Sequence, residues 1–304
     1  MNILISGALG HIGSYIIRAL PKKILHSKIY IIDNLQSQRY CSLFGLKNFN
    51  YEFHNIDLSK EIFNKKADLV IHLAAKTDAA QSHTYKKEFE KNLNITKNII
   101  NYCQKHNSKL IFASSTSVYG PQKDTIDEDC HKSELNPQSP YASIKLKEER
   151  LIRKKLIHNK YLILRLGTIY GFSQGIRFQT AVNKFCFQAA LNEPLTVWKT
   201  AYNQKRPYLS LSDFAAALCH IIKNDIFDNQ IYNIVSDNFK VSEIIKYIKS
   251  HDNKLKIKYV DHPIMNQLSY SVKNDKFKKT KFIFKSNIKN EIVNTLKQLK
   301  YLNN

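Results

Sequence analysis

The chain has 304 residues, 43% of them hydrophobic, enough to bury a sizeable core in one large α/β domain or two modest ones. Its 47 Lys and Arg against 25 Asp and Glu leave a formal charge of +22. The lysines are dispersed over helical faces with no aromatic-interleaved basic stripe. The charge therefore reads first as compositional bias, second as an attraction for an anionic substrate, and not as a nucleic-acid interface. The longest apolar runs, such as 69–75, are too short to cross a bilayer, and no charged leader precedes the first strand at Asn2. Five scattered cysteines (Cys41, Cys103, Cys130, Cys186, Cys219) form no CxxC. The expectation is a soluble cytoplasmic protein with no membrane partner, no disulfide framework and no metal site.

In chain order, 2–6, 29–32, 69–73, 110–113 and 161–166 are short, continuous runs rich in Ile, Leu and Val. That pattern suits strands of a parallel sheet covered on both faces. Amphipathic stretches at 11–20, 90–106 and 140–158 alternate with them, and Ile95, Ile99 and Cys103 share one helical face. The β-α-β-α rhythm predicts an α/β, doubly wound, Rossmann-type fold. Beyond residue 166 the rhythm loosens, with strands expected at 195–198 and 231–235 and helices at 242–250 and 287–299. The expected division is a dinucleotide-binding domain from 1–166 and 207–235, and a smaller α/β substrate-binding region from 167–206 and 236–304.

The first strand runs into GALGHIG, whose Gly7, Gly10 and Gly13 permit a tight turn and close approach of the backbone to a pyrophosphate at a helix N-terminus. Asp33 ends the second strand, twenty residues after Gly13, where an acid accepts from ribose hydroxyls and repels a 2′-phosphate. NAD is favoured over NADP, although Arg39 lies nearby. Asp57 follows a third short strand and either accepts from the adenine amine or caps a helix.

Pro140 and YASIK (141–145) put Tyr141 and Lys145 four residues apart on one helical face. An ammonium beside a phenol, whose pKa is otherwise about 10, favours the phenolate that a general base needs. The hydroxyl run SSTSVYG (114–120) stands at the carboxyl edge of the sheet, and from it Thr116 is taken as the third catalytic group.

These motifs, with HLAA (72–75), LRLGTIYG (164–171), KRPYLSLSD (205–213) and Tyr232-Asn233, occur in the order found in the extended short-chain dehydrogenases/reductases. The chain resembles the NAD-dependent epimerase/dehydratase group over nearly its whole length. The resemblance implies bound NAD and a nucleotide-diphosphate sugar. It adds cofactor contacts from His11, Ile12, Asn34, Leu58, Leu73, Ala74, Ala75, Asn92, Ser114 and Gly167 beside the glycines, Asp33, Asp57, Tyr141 and Lys145. It implies substrate contacts from Thr77, Thr116, Thr168 and Arg206, with Arg177 either a second diphosphate ligand or a surface arginine. It also implies a homodimer formed through the helices at 90–106 and 140–158.

Members that dehydrate carry Thr-Asp-Glu in the hydroxyl loop, and this chain has Ser117 and Val118 at the positions read as the two acids. Oxidation or reduction at one carbon, carbon 4, is what remains. Two departures stand out: Thr168 replaces a frequent Asn, and the usual C-terminal Arg has no counterpart near 266–270. The segments GTIYGFSQGIRF and MNQLSY look closer to bacterial enzymes acting on surface-polysaccharide sugars, including heptose-modifying dehydrogenases. The expected function is a nucleotide-sugar 4-epimerase. The alternatives are a 4-dehydrogenase or 4-ketoreductase, a redox-silent NAD-sensing scaffold, and a nucleic-acid binder.

Overall fold

The computed structural model describes residues 1–46, 49–79, 81–122, 124–251, 254–261 and 269–300. Seven parallel strands form one sheet in the order Ile231–Ile234, Tyr161–Leu166, Lys109–Ser115, Leu69–His72, Asn2–Ser6, Lys28–Asp33, Tyr51–Asn55. This is the expected doubly wound Rossmann sheet. Alternate residues of each strand enter opposite layers. Ile3, Ile5, Ile29, Ile31 and Ile111 pack with the helices His11–Ala19 and Leu211–Lys223. Leu4, Tyr30, Ile32, Leu110 and Phe112 pack with the helices Lys86–His106 and Pro140–Lys155. Strand order reverses between Asn2–Ser6 and Leu69–His72, so chain leaving these two neighbours opens a crevice at their carboxyl ends.

A second core joins the helices Ala181–Ala190, Val241–Lys249 and Ile288–Lys300. Beside it a small mixed sheet orders Asp237–Lys240, Lys205–Ser210 and Thr168–Tyr170, and Leu195–Trp198 pairs with Ile257–Val260. Ser271–Val272 pairs with Thr125–Ile126 and so ties the C-terminal segment to the hydroxyl-loop side of the large sheet. Most of these short strands carry mixed polar and apolar residues and gave no clear period in the sequence.

Two helix boundaries differ from expectation by more than one residue. The helix expected at 90–106 begins at Lys86, since Phe89 already belongs to its buried face. The helix expected to reach 158 ends at Lys155, where Leu156 turns fully into the core and Asn159 donates its side-chain amide to the Cys103 carbonyl at 3.2 Å.

A buried ion pair locks the Pro140–Lys155 helix to the sheet. Arg165 donates to both oxygens of Glu149 at 3.0 and 2.8 Å, Ser114 donates to the same carboxylate, and the guanidinium lies 4.8 Å over the Tyr119 ring. Both charges are about 2% exposed. Removing one charge strands the other in the interior. Glu149→Gln is therefore expected to lower unfolding free energy by about 3–5 kcal/mol in urea titrations, and a loss under about 1 kcal/mol would contradict this account.

Candidate functional site

The crevice is built on the glycine loop. Gly7 takes φ +67°, and a methyl group there would stand 2.7 Å from Ala74 Cα; one on Gly13 would stand 2.5 Å from the Gly7 carbonyl oxygen. The loop is thus a side-chain-free cradle feeding the helix His11–Ala19, whose first N–H groups face an incoming anion. Asp33 braces it: Oδ2 accepts from Leu9 N–H and Oδ1 from Leu35 N–H, each at 3.0 Å, leaving each oxygen a further lone pair. A glycine cradle, a helix terminus and an acid with spare acceptor capacity fit a dinucleotide without a 2′-phosphate.

Two arginines stand by this helix end. The His11 imidazole is held down at about 3, first by burial and then by the Arg39 and Arg177 guanidiniums. Arg177 itself is lowered by burial and supported by Asp78 and Tyr141. It donates to the Thr77 hydroxyl and lies 3.8 Å from Asp78. Arg177 is thus partly buried and tied to Thr77 and Asp78, near the glycine-loop helix and Tyr141.

Tyr141 and Lys145 project from the first turns of the helix Pro140–Lys155, which Ser139 caps by accepting from Ala142 N–H at 3.1 Å. Tyr141 is partly exposed, and its amide donates to Ser82 Oγ at 3.3 Å. Lys145 is 3% exposed, with its ammonium 4.5 Å over the Phe112 ring and 3.1 Å from Glu148 Oε2.

Thr116 is not presented as the sequence reading expected. It is 2% exposed, and its hydroxyl is shared between the Leu166 carbonyl and the Tyr270 hydroxyl, both at 3.2 Å. Ser115 beside it is partly exposed and accepts from Ser117 N–H at 3.2 Å and from Ser117 Oγ at 2.9 Å. With two bonds accepted, the Ser115 proton is the one left to donate outward. The signal for Ser115 was in the strand's period of two: Leu110, Phe112 and Ser114 share the covered face, and Ser115 does not.

Tyr270 was also missed. Burial raises its phenol, Thr116 and Arg206 act against the rise, and Tyr141 adds to it. Arg206 and Tyr141 are thereby placed around the same buried hydroxyl pair. The expected site segment at 266–270 otherwise lies outside the described residues, apart from Ser269 and Tyr270.

Several expected contacts are occupied elsewhere. Asn92 is 1% exposed and clamps the backbone of Lys76 with two bonds of 2.9 Å, so it shapes the 73–77 turn from behind. Ser114 is spent on Glu149. Asp57 Oδ1 accepts from the Ser59 amide and hydroxyl at 3.0 and 2.7 Å, closing a turn that no helix follows, so the alternative reading of Asp57 as a helix cap does not hold. Asn34 accepts from Gln36 N–H at 3.2 Å, and Leu58 is core. Ile12, Leu73, Ala74 and Ala75 are partly exposed around the cradle. Gly167 lies where a methyl would come within 3.0 Å of the Tyr208 backbone, and Thr168 pairs with Tyr208 in the small sheet. Among the described residues no cluster of three or more His, Cys, Asp or Glu could hold a metal, and no helix is long and apolar enough to cross a membrane.

Comparison with known proteins places this geometry. The family model described as "NAD dependent epimerase/dehydratase family" matches residues 3–235. A dTDP-D-glucose 4,6-dehydratase of Dictyostelium discoideum is 33% identical over 267 residues, 80% of this chain, and the match spans 60% of that relative's length. An ADP-L-glycero-D-manno-heptose-6-epimerase of Brachyspira hyodysenteriae is 27% identical over 86% of this chain and 84% of its own. The crystal structure of a UDP-glucuronic acid 4-epimerase from Bacillus cereus, with UDP-glucuronic acid and NAD, superposes with a TM-score of 0.85 at 24% identity over 99% of this chain and 100% of that one, a likeness of fold.

His11 and His72 have a consequence for stability. Burial holds both imidazoles at about 3, against 6.5 for a free side chain, with Lys145 adding to the depression of His72. Between these values the unfolded chain binds the protons and the folded chain does not, so stability falls as pH falls through that window. Each histidine contributes a slope approaching about 1.4 kcal/mol per pH unit. Denaturant midpoints are expected to be lower at pH 5 than at pH 7.5, and the His11→Asn/His72→Asn double variant is expected to have a shallower dependence. An equally steep dependence in that variant would contradict the assignment.

Proposed function

We propose, for a chain that belongs to the NAD-dependent epimerase/dehydratase family, that its reaction is epimerisation at carbon 4 of a nucleotide-diphosphate sugar through a transient 4-keto sugar. Its cofactor is NAD, and it is an enzyme of this oxidoreductase type. The observation that carries the proposal is the Tyr141–Lys145 pair on one helix face beside the carboxyl edge of the sheet, with the glycine cradle in the adjoining crevice. Residues 1–166 and 207–235 would hold NAD, and 167–206 and 236–304 would hold the sugar nucleotide.

Each side chain has a task. Tyr141, as phenolate, takes the proton of the sugar hydroxyl, and Ser115 donates a hydrogen bond to the same oxygen. Lys145 stabilises the phenolate by its charge and holds the cofactor ribose. Bound NAD would supply the hydride acceptor, and then the hydride donor, at that carbon. Arg206 grips the substrate diphosphate while the keto sugar turns. Arg177, between the glycine-loop helix and Tyr141, neutralises phosphate charge where cofactor and substrate meet. Dehydration is disfavoured in spite of the 33% identical dehydratase. Ser115 to Val118 carry no carboxyl, and Val118 is fully buried among apolar side chains.

The proposal extends to a cytoplasmic enzyme of surface-polysaccharide sugar synthesis. A panel of UDP-, GDP-, dTDP-, ADP- and CDP-sugars followed by NMR tests the reaction. Interconversion of two 4-epimers without added oxidant is expected. Stoichiometric NADH accumulation would instead make the chain a 4-dehydrogenase, heptose-modifying ones included. Tyr141→Phe is expected to lose nearly all turnover and keep NAD. Ser115→Ala is expected to lose roughly a hundredfold in kcat and Thr116→Val far less, and the reverse ranking would return the catalytic hydroxyl to Thr116.

We further propose a homodimer through the helices Lys86–His106 and Pro140–Lys155, which pack side by side. Their exposed residues include Lys86, Lys87, Lys91, Lys97, Lys105, Lys147, Arg150, Arg153, Lys154 and Lys155, with Glu90 the one exposed acid. A two-fold axis would set like charges against each other, so salt should favour association. Sedimentation velocity is expected to show more dimer at 0.5 M than at 0.05 M salt, and a dimer that dissociates as salt rises would refute this interface.

A further inference from the structure

The hydrogen bonds behind Lys145 run in one direction. Ser6 Oγ, at the end of the strand Asn2–Ser6, accepts from the amides of Leu73 and Ala74 at 3.2 and 3.3 Å. Its own proton points at His72 Nδ1, 2.7 Å away. His72 Nε2 lies 3.2 Å from Thr96 Oγ1, and Thr96 donates to Glu148 Oε1 at 2.5 Å. Since the Thr96 proton is used on Glu148, Thr96 accepts from His72, which assigns the Nε2–H tautomer to the ring. The second Glu148 oxygen, Oε2, has the Lys145 ammonium at 3.1 Å. The donors from Ser6 to Thr96 thus point toward one carboxylate, whose Oε2 meets the ammonium as an ion pair without a hydrogen bond. The five side chains of this line, Ser6, His72, Thr96, Glu148 and Lys145, are each at most 3% exposed.

We infer that Glu148 is the positioning residue of Lys145: its carboxylate sets where the ammonium stands and joins it, through Thr96, His72 and Ser6, to the turn beside the glycine loop. The inference rests on the reading of Lys145 as the lysine that holds NAD and acts on Tyr141. Two physical facts carry it. A buried ammonium without a counter-charge is strongly destabilising, and among the described residues Glu148 is the one carboxylate within ion-pair distance of Lys145. The four-carbon lysine stem also has many rotamers, so a flexible cation is placed only if its partner is rigid. Glu148 is rigid because Thr96 holds its other oxygen and His72 in turn holds Thr96. The Phe112 ring attracts the ammonium but offers no hydrogen-bond acceptor comparable to the carboxylate. Glu148→Gln would keep the shape, remove the charge and allow a second donor to face the ammonium.

The test is a double-mutant cycle read as NAD affinity, by titration calorimetry on protein stripped of nucleotide and with no sugar present. Glu148→Gln is expected to weaken NAD binding roughly tenfold in the wild-type background, and by less than about twofold in the Lys145→Met background. A purely structural role would lower affinity by a similar factor in both backgrounds, and that result would overturn the inference. An unchanged affinity in the single variant would overturn it as well. Should Glu148→Gln fail to melt cooperatively, Thr96→Val takes its place in the cycle. It keeps the carboxylate and removes the hydrogen bond that orients it. It is expected to weaken NAD binding roughly threefold in the wild-type background and to have no effect beside Lys145→Met. Equal effects in both backgrounds, or none in either, would overturn the inference there too. Because no sugar enters these measurements, a chain that gives the coupled pattern yet converts no nucleotide sugar would refute the epimerase reading alone.

Discussion

The contact on which the site depends is the approach of Gly7 to Ala74. The strands Asn2–Ser6 and Leu69–His72 lie side by side in parallel register, Ser6 opposite His72, so the turns leaving them meet at once. There is no room for a methyl group between them. The loop can carry a phosphate because nothing but backbone occupies it, and it stays open because the facing turn is pinned. Ser6 holds that turn by two amides, and Asn92 holds it from behind. Asp33 closes the other side by fastening the loop amide of Leu9 to the second strand.

The second constraint is the pairing of buried charges. Glu148 and Glu149 are neighbours in sequence, yet one turns to Lys145 and the other to Arg165, as successive residues on a helix must diverge. The Arg165 pair fixes the helix against the sheet, and the Lys145 pair fixes the cation proposed to act on Tyr141 and the cofactor. Asp213, also buried, is held instead by hydrogen bonds from Ser236, Ser286 and the backbone amides of Lys285 and Ser286, while the excess positive charge is carried at the surface, where solvent and salt screen it.

The hydroxyl loop is where sequence and structure part most instructively. Three hydroxyls in a row, Ser114, Ser115 and Thr116, look interchangeable in the string. Their environments differ: Ser114 completes the Glu149 cluster, Thr116 is enclosed by Leu166 and Tyr270, and Ser115 keeps a proton to give. The choice among them turned on hydrogen bonds to residues 50 and 154 positions away in the chain. Arg177 is a similar case, since its partner Thr77 lies 100 residues away.

What the amino-acid sequence determined by itself was whatever is local or periodic. Continuous apolar runs announced the buried strands, glycine spacing announced the loop, and the i,i+4 step placed Tyr141 above Lys145 on one helix face. These follow from backbone geometry and from side-chain periods of two and 3.6, which any short window contains. The tertiary structure alone decided that Thr116 is enclosed, that Asn92 and Ser114 are spent elsewhere, and that a carboxylate three residues past Lys145 stands at the end of a line beginning at Ser6. Burial and hydrogen-bond direction are properties of neighbours brought together by the sheet, and no short window contains those neighbours.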